Sequence, residues 1–393
     1  MCWVVILAPS KIEFMFLEVV DFIRDRFSTK DFIPLHAPLF NGRERDLVLD
    51  ALDSTFVSSV GQYVNHSEKL MTEIVGTAGA VAVVNGTSGL QVALRLAGVC
   101  SGEEVLTQAL SFVATSNAIS YLGAEPVYLD VDIDTMGLSA SAVRSFLEEF
   151  AELREEGSFD KRNGKRISAC VPMHTFGFPV DIEALLSVCA QWKIPLIEDA
   201  AESLGSYYKG RHTGSFGSLG VFSFNGNKIV TCGGGGMIVS NDTELIKKGK
   251  HLTTTAKVPH PFEYVHDEMG YNFRLPNLNA ALLCAQLERL NLFLANKRSL
   301  ALEYAEFFAK RGIEFCRERA DTQANYWLMC ILLNNREERD TFLKETNDAG
   351  VMTRPIWQLM YRLPMYCHCY HDHQKNAEAL ESRLVNIPSS VRG

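Results

Sequence analysis

At 393 residues, with 47% hydrophobic and 22% charged residues, the chain has the composition of a soluble globular protein long enough for two domains. A formal net charge of −9 argues against non-specific binding to nucleic acid or to an anionic membrane surface, so an anionic substrate needs a local cluster of donors. Ten cysteines without a C-x-x-C pair read as reduced cytosolic thiols and exclude a small disulfide scaffold.

The apolar start, MCWVVILAPSK, has no basic lead and no cleavage site, and it is too short to span a membrane; residues 1–14 read as a small extension or a misassigned start. Met15 opens an amphipathic helix, and Glu44 to Leu52 and His66 to Val75 carry helical apolar spacing. Ala80 to Asn85 is a buried-strand run, broken by Gly86-Thr87-Ser88-Gly89 and followed by the helical LQVALRLAGV. A strand, a tight polar turn and a helix start make a nest of backbone amides suited to phosphate; Thr87 or Ser88 equally suits a helix cap. Strand and helix then alternate through Glu104 to Thr107, a helix from Ser111 to Tyr121 opened by Phe112, Val127 to Val131, and Ser168 to Met173, which ends at His174. The acids Asp130, Asp132 and Asp134 lack the glycine and final glutamate of a calcium loop. Residues 151–166 are charged and aperiodic, and read as an exposed helix end and loop. Asp181 to Trp192 is helical.

The chemistry gathers between Pro195 and Asn241. Pro195 to Ile197 runs as a strand into Glu198-Asp199, and Leu219 to Phe224 runs into Asn225-Gly226-Asn227-Lys228. Gly233 to Gly236 turn the chain into a third apolar run, Met237-Ile238-Val239. Polar groups at the ends of buried strands are where open α/β sheets bind ligands. A lysine just past a strand, with an aspartate 29 residues before it, matches the needs of pyridoxal phosphate (PLP), an amine to hold it as a Schiff base and an acid to keep its pyridine nitrogen protonated, although the two residues alone suit an ordinary surface lysine and a strand-end acid better. A long loop from Thr253 to Phe273 and a linking helix from Asn277 to Arg311 follow. Tyr326 to Leu333, Arg336 to Ala349 and Val351 to Ile356 then read as strand, helix and strand of a smaller domain. The Cys- and His-rich run Tyr366 to His373 has no second ligand cluster, so it reads as a solvated loop and no metal is expected.

EDAAESLGSYYKGRHTGSFG, the S-F-N-G-N-K run with its glycine turn, and GYNFRLPNLNAALLCAQLERL together resemble the nucleotide-sugar aminotransferases of the DegT/DnrJ/StrS family, PLP enzymes of fold type I. The resemblance runs from about Phe32 to the C-terminus. Within it, HLTTTAKVPHPFEYVHDEMGYNFR and RLVNIPSS resemble the LegC-type aminotransferases of legionaminic acid synthesis. The implied fold is α/β, with a mostly parallel seven-stranded sheet between helices in a large domain and a smaller C-terminal α/β domain. Residues 1–31 are expected to form an N-terminal extension and helix, 32–255 the large PLP-binding domain, and 256–393 an interface loop, linking helix and small domain.

The resemblance also assigns roles. Lys228 is implied as the Schiff-base lysine and proton carrier, and Asp199 as the partner of the pyridine nitrogen. Glu202 is implied near the ring's phenolic oxygen, with Phe112 flat against the ring. Gly86, Thr87, Ser88 and Ser223 are implied around the phosphate, with Asn272 reaching it from a second subunit. His174 and Arg274 are the expected substrate-side groups. The implied reaction moves an amino group from an amino acid, L-glutamate in expectation, to the 4-keto carbon of a nucleotide-linked 4-keto-6-deoxy sugar bearing a 2-acetamido group, for surface-glycan or nonulosonic acid synthesis. A cytoplasmic homodimer with shared sites, without nucleic-acid or membrane partners, is expected. Related sugar dehydratases replace the lysine by histidine, so Lys228 favours amino transfer. Amination at another keto position or of a cyclic ketone is the alternative within enzymes, and a non-catalytic regulator the alternative outside them.

Overall fold

The computed structural model describes residues 11–393, with side chains from Phe16 onward. The reading of residues 1–14 therefore falls largely outside the described residues. The chain opens with α1 (Lys11–Phe27), α2 (Glu44–Asp53) and α3 (Gln62–Val75). The large unit continues through β1 (Gly79–Val83), α4 (Gly86–Leu96), β2 (Glu104–Gln108), α5 (Val113–Ser120), β3 (Glu125–Leu129) and α6 (Ala140–Phe150). Next come β4 (Ala151–Arg154), β5 (Gly157–Asp160), β6 (Arg166–Val171), α7 (Ile182–Gln191) and β7 (Ile197–Asp199). Two short strands, β8 (Tyr207–Tyr208) and β9 (Arg211–His212), precede β10 (Leu219–Ser223), β11 (Gly236–Ser240) and α8 (Thr243–Thr253).

These strands build one sheet in the order β1-β11-β10-β7-β6-β2-β3. Bridges from Cys170 to Leu196 and from Met173 to Asp199 join its two halves. Only β11 runs against the others. The mostly parallel seven-stranded sheet is thus present, and its strands are buried along most of their length, as a sheet covered by helices on both faces requires. Side-chain caps start the helices where the sequence offers them: Asn85 for α4, Asp181 for α7 and Asp242 for α8.

Residues 151–166 depart from expectation. They form the hairpin β4–β5, and β5 pairs with β6 through Ser158–Ile167 and Phe159–Arg166. The charges are not all solvated. Asp160 is buried and takes the Arg162 guanidinium at 2.9–3.0 Å, while that guanidinium lies 3.8 Å from the Tyr370 ring centre. Paired and stacked in this way, a charged stretch can join a sheet.

After the short hairpin β12 (Lys257–Val258) and β13 (Val265–His266), the expected single helix from Asn277 to Arg311 is two: α9 (Asn277–Leu287) and α10 (Leu290–Ala309). A tight turn, with the Arg289 N–H donating to the Gln286 carbonyl at 3.0 Å, separates them. The smaller unit contains β14 (Glu314–Phe315), β15 (Thr322–Gln323), β16 (Met329–Leu332), α11 (Arg336–Asp348), β17 (Arg354–Pro355), α12 (Lys375–Arg383) and β18 (Leu384–Ile387). Its sheet is antiparallel, in the order β14-β16-β18-β17, while β15 extends the β8–β9 hairpin. Helix α1 packs on this unit, with Phe16 edge-on to Phe342 and Phe22 stacked on Phe307. The run Tyr366 to His373 is half-buried rather than solvated: Tyr366 and Cys369 are inside, and Glu125 of β3 comes near His368 and Cys369. That carboxylate already takes the Lys165 ammonium at 2.6 Å. No helix among the described residues is long and apolar enough to cross a membrane.

Candidate active site

The parallel strands β1, β10, β7 and β6 end on one side of the sheet, and a cavity of about 630 Å³ opens there, against the smaller unit. Gly86, Thr87, Phe112, Asp199, Glu202, Ser223 and Lys228 all line it. Seven residues far apart in sequence therefore meet in one cavity, because each lies at the start of a helix or at or just beyond the end of a strand.

Asp199 closes β7 and is only 2% exposed. The Thr115 hydroxyl donates to its Oδ2 at 2.6 Å and the Ala201 N–H to its Oδ1 at 3.1 Å. Burial pushes the carboxyl above the usual range, with these two donors and the Lys228 charge pulling the other way. Glu202 is buried beside it. Its Oε1 lies 3.1 Å from the Lys228 Nζ, and its Oε2 accepts the Phe176 N–H at 2.9 Å. Burial raises this carboxyl too, and Lys228 opposes the rise. Phe176 delivers its N–H from a left-handed conformation, φ 56°, which a bulky side chain rarely adopts; the Glu202 contact and the packing of Phe176 on Trp357 hold it there.

Lys228 follows β10 and lies 3.7 Å from the Trp327 ring centre, over its face. The indole N–H of Trp327 donates to the Asn227 carbonyl at 2.7 Å, so the ring is fixed against the lysine loop. At the other end of the cavity α4 begins at Gly86. Asn85 accepts the Ser88 N–H at 2.8 Å, and the amides of the first turn have no acceptor within the helix. Close approach explains the glycines. A Cβ on Gly86 would lie 3.0 Å from the Cβ of Ser223, and one on Gly236 would sit 2.6 Å from the backbone of Asn85. The glycine run thus does more than turn the chain: its last member lets β11 press against the β1–α4 turn.

Other expected site residues lie elsewhere. Ser88 gives its amide to the Asn85 cap and does not line the cavity. His174 adjoins the site through its backbone, donating to the Asp199 carbonyl at 3.1 Å, but its ring is fully buried and engaged. Its Nε2 is 3.0 Å from Glu198 Oε2, and its Nδ1 accepts the Val180 N–H at 3.2 Å. Glu198 in turn accepts the N–H groups of Gly214, Phe216 and Gly217 at 2.6–2.7 Å. Burial would raise Glu198, but His174 and these amides outweigh it and hold the carboxyl low. His174 is therefore part of a structural network and no substrate can touch its ring. Arg274 donates to Glu68 at 2.7 Å and faces α3, away from the cavity. Asn272 is exposed on a loop beside β1, outside the cavity of its own chain. Sequence reasoning missed Thr115, Trp327, Arg354, Trp357 and Asn386, all on the cavity wall. Thr115 was findable: it lies three residues after Phe112, on the same helical face.

The model of the DegT/DnrJ/EryC1/StrS aminotransferase family matches residues 39–392. The chain belongs to this family. EpsN of Bacillus subtilis (strain 168) is 35% identical over 362 residues, covering 91% of this chain and 90% of that protein. GDP-perosamine synthase of Escherichia coli O157:H7 is 34% identical over 358 residues, covering 91% and 93%. Among solved structures, the aminotransferase TlmJ from Streptoalloteichus hindustanus superposes with a TM-score of 0.82 at 26% identity, covering 91% of this chain and 93% of that one. This chain is a PLP-dependent aminotransferase of the fold type I architecture. The cavity fits the cofactor. Asp199 is buried with hydrogen-bond donors but no cation bonded to it, which suits a protonated pyridine nitrogen, and the amide nest at Gly86 and Thr87 suits the phosphate.

Proposed function

We propose that this aminotransferase carries an amino group from L-glutamate to the 4-keto carbon of a nucleotide-linked 4-keto-6-deoxy sugar bearing a 2-acetamido group. The observation that carries the site assignment is the meeting of Lys228, Asp199 and the α4 N-terminus on one cavity wall. Bound PLP supplies an electron-accepting ring that stabilises the charge left when a bond to the amino carbon breaks. Lys228 would hold the cofactor covalently and would carry a proton to or from the substrate carbon. Asp199 would keep the pyridine nitrogen protonated, while Gly86, Thr87 and Ser223 would hold the phosphate. Glu202, whose carboxyl burial raises and the Lys228 charge lowers, would face the phenolic oxygen of the ring. Trp327 fixes the lysine loop from the smaller unit, so the cavity closes only when both units are in place.

The nucleotide-sugar reading is supported by the relative named GDP-perosamine synthase. The finer reading, a LegC-type enzyme of legionaminic or another nonulosonic acid pathway acting in the cytoplasm, rests on the two sequence stretches from His251 to Arg274 and from Arg383 to Ser390. The working unit is a homodimer in which Asn272 of one subunit completes the other's phosphate site. Phe262 and Tyr264, 92% and 82% exposed in the same loop, are apolar groups that a second subunit would cover. Incubation with L-glutamate and a panel of 4-keto nucleotide sugars, with the products identified by NMR, tests the assignment. A 4-amino sugar from a 2-acetamido substrate is the expected product; amination at another carbon, or none across the panel, overturns it.

A further inference from the structure

The run Tyr366 to His373 carries two cysteines and three histidines that amino transfer leaves unused. In sequence it lacks a second group of metal ligands, but the fold brings one to it. The run lies along the edge of the large sheet. The Tyr128 N–H donates to the Tyr370 carbonyl at 2.9 Å, and the Asp372 N–H donates to the Tyr128 carbonyl at 3.1 Å. This docking sets His368 and Cys369 against Glu125, the first residue of β3. One ligand atom from each of the three lies within 4.8 Å of the other two. None of the three lines the cofactor cavity.

Spacing and donor type fit one class of ion. The Cys369 Sγ lies 3.7 Å from the His368 Nε2. A zinc ion about 2.3 Å from sulfur and about 2.0–2.1 Å from nitrogen, at a tetrahedral angle, sets those atoms about 3.6 Å apart. The protein therefore holds the pair at the separation zinc needs. Thiolate, imidazole and carboxylate together suit zinc, whereas calcium and magnesium take oxygen ligands. Negative charge backs the site, since the buried Glu104 stands directly across from Glu125 on β2. The Lys165 ammonium takes Glu125 at 2.6 Å, but its half-buried side chain is a charge on a flexible stem and can swing out. Another such trio among the described residues, His251, Asp267 and Glu268, has no sulfur, and its Glu268 is already shared by Lys248 and Arg95.

We propose that Glu125, His368 and Cys369 bind a zinc ion, with water in the fourth position on the exposed side of His368. The ion displaces Lys165 from Glu125 and takes the Cys369 sulfur as a thiolate, whose proton passes to solvent. Glu125 belongs to the large sheet, and His368 and Cys369 to the segment that leads into α12 of the smaller unit. The ion thus clamps that segment to the sheet edge. Three protein ligands and a water make this clamp more open than the four-ligand sites of zinc-dependent folds, so the metal exchanges and the protein folds without it.

Calorimetric titration of the PLP-loaded protein with zinc tests the site. The parent for this test has Cys100 and Cys367, the exposed cysteines among the described residues, replaced by serine, so that loose thiols do not take the metal. A single zinc ion per chain should bind it. His368→Gln and Cys369→Ser should each weaken binding by about tenfold or more, since losing even an outer partner of a zinc ligand costs about 10–100-fold. His368 is exposed, so its variant keeps the fold where the buried cysteine's does not. Lys165→Met keeps the stem and removes the competing charge, and should tighten binding by about two- to fivefold, the range of a partly exposed ion pair. Cobalt(II) in place of zinc should show the visible bands of a four-coordinate ion and a sulfur–cobalt charge-transfer band that Cys369→Ser removes. Zinc should raise the melting midpoint of the parent but not of His368→Gln, and leave kcat unchanged. Failure of the parent to bind zinc, a six-coordinate cobalt spectrum, or ligand variants that bind as the parent does would overturn the site. Lys165→Met binding no tighter than the parent would overturn the displacement of Lys165.

Discussion

Asp199 shows how one residue serves chemistry at the expense of stability. A carboxylate taken from water into the end of a buried strand is disfavoured unless it meets a positive partner. Burial raises it above the usual range, so in the cofactor-free protein, at pH between the unfolded and the raised native value, the native state holds a proton that the unfolded chain has released. With more protons bound in the native state, stability falls as pH rises from the unfolded value through the raised native one. Asp199→Asn keeps the shape and removes the titration. Cofactor-free variant protein should thus melt higher than wild type at neutral pH, with the difference shrinking in acid, as scanning calorimetry across pH would show. The loaded variant should still bind PLP through Lys228 but turn over at least about a hundredfold more slowly, the usual scale for losing a preorganised charge. A variant that melts lower at neutral pH, or turns over like wild type, would mean that Asp199 is not the partner of the pyridine nitrogen.

At the scale of elements, the phosphate end of the cavity depends on how closely β11 approaches the turn between β1 and α4. Gly236 has an ordinary backbone conformation, so its glycine is required by space: the nearest atoms to an added Cβ are Asn85 and Gly86 backbone, at 2.6–2.8 Å. Backbone cannot rotate away as a side chain can. Gly236→Ala should push the turn off the strand, lowering stability by about 1–3 kcal/mol and weakening PLP binding about tenfold or more. Equilibrium dialysis of the cofactor, beside a melting curve, measures both; unchanged PLP affinity would show that the amide nest tolerates displacement. The β1–α4 turn, β7 and β10 were legible from sequence because their apolar runs and polar ends are local. The hairpin β4–β5 was not, since the charge of Arg162, paired locally with Asp160, is also housed by stacking on Tyr370, a residue far away in sequence.

At the scale of the whole molecule, the proposed sharing of Asn272 between subunits makes a quantitative prediction. Lys228→Ala removes the covalent anchor in one subunit, and Asn272→Asp places a negative charge against the partner site's phosphate. Each variant alone should be nearly inactive. When the two are co-expressed and pair at random, about half the dimers are mixed, each with one doubly damaged and one intact site, so about a quarter of all sites work. Activity recovered near that fraction supports sharing between subunits. Isolated mixed dimers no more active than their parents would rule out a role for Asn272 in trans.

The sequence by itself marked most of the elements and pointed to Lys228 and Asp199 as the reactive pair. Periodicity marked the strands, polar residues at their ends marked the ligand side of the sheet, and the resemblance of the surrounding motifs to a PLP family, more than the Asp199–Lys228 pair alone, named the cofactor. The strand signals lie within a few residues of one another or repeat along one element. The tertiary structure alone decided direction and partnership. It turned the His174 ring away from the cavity toward Glu198, set Arg274 on Glu68, and brought Arg354 and Asn386 across a strand pair to the cavity wall. Which way a strand-end side chain points, and which distant strand it meets, follows from the packing of two units against each other, and that information is spread over the whole chain.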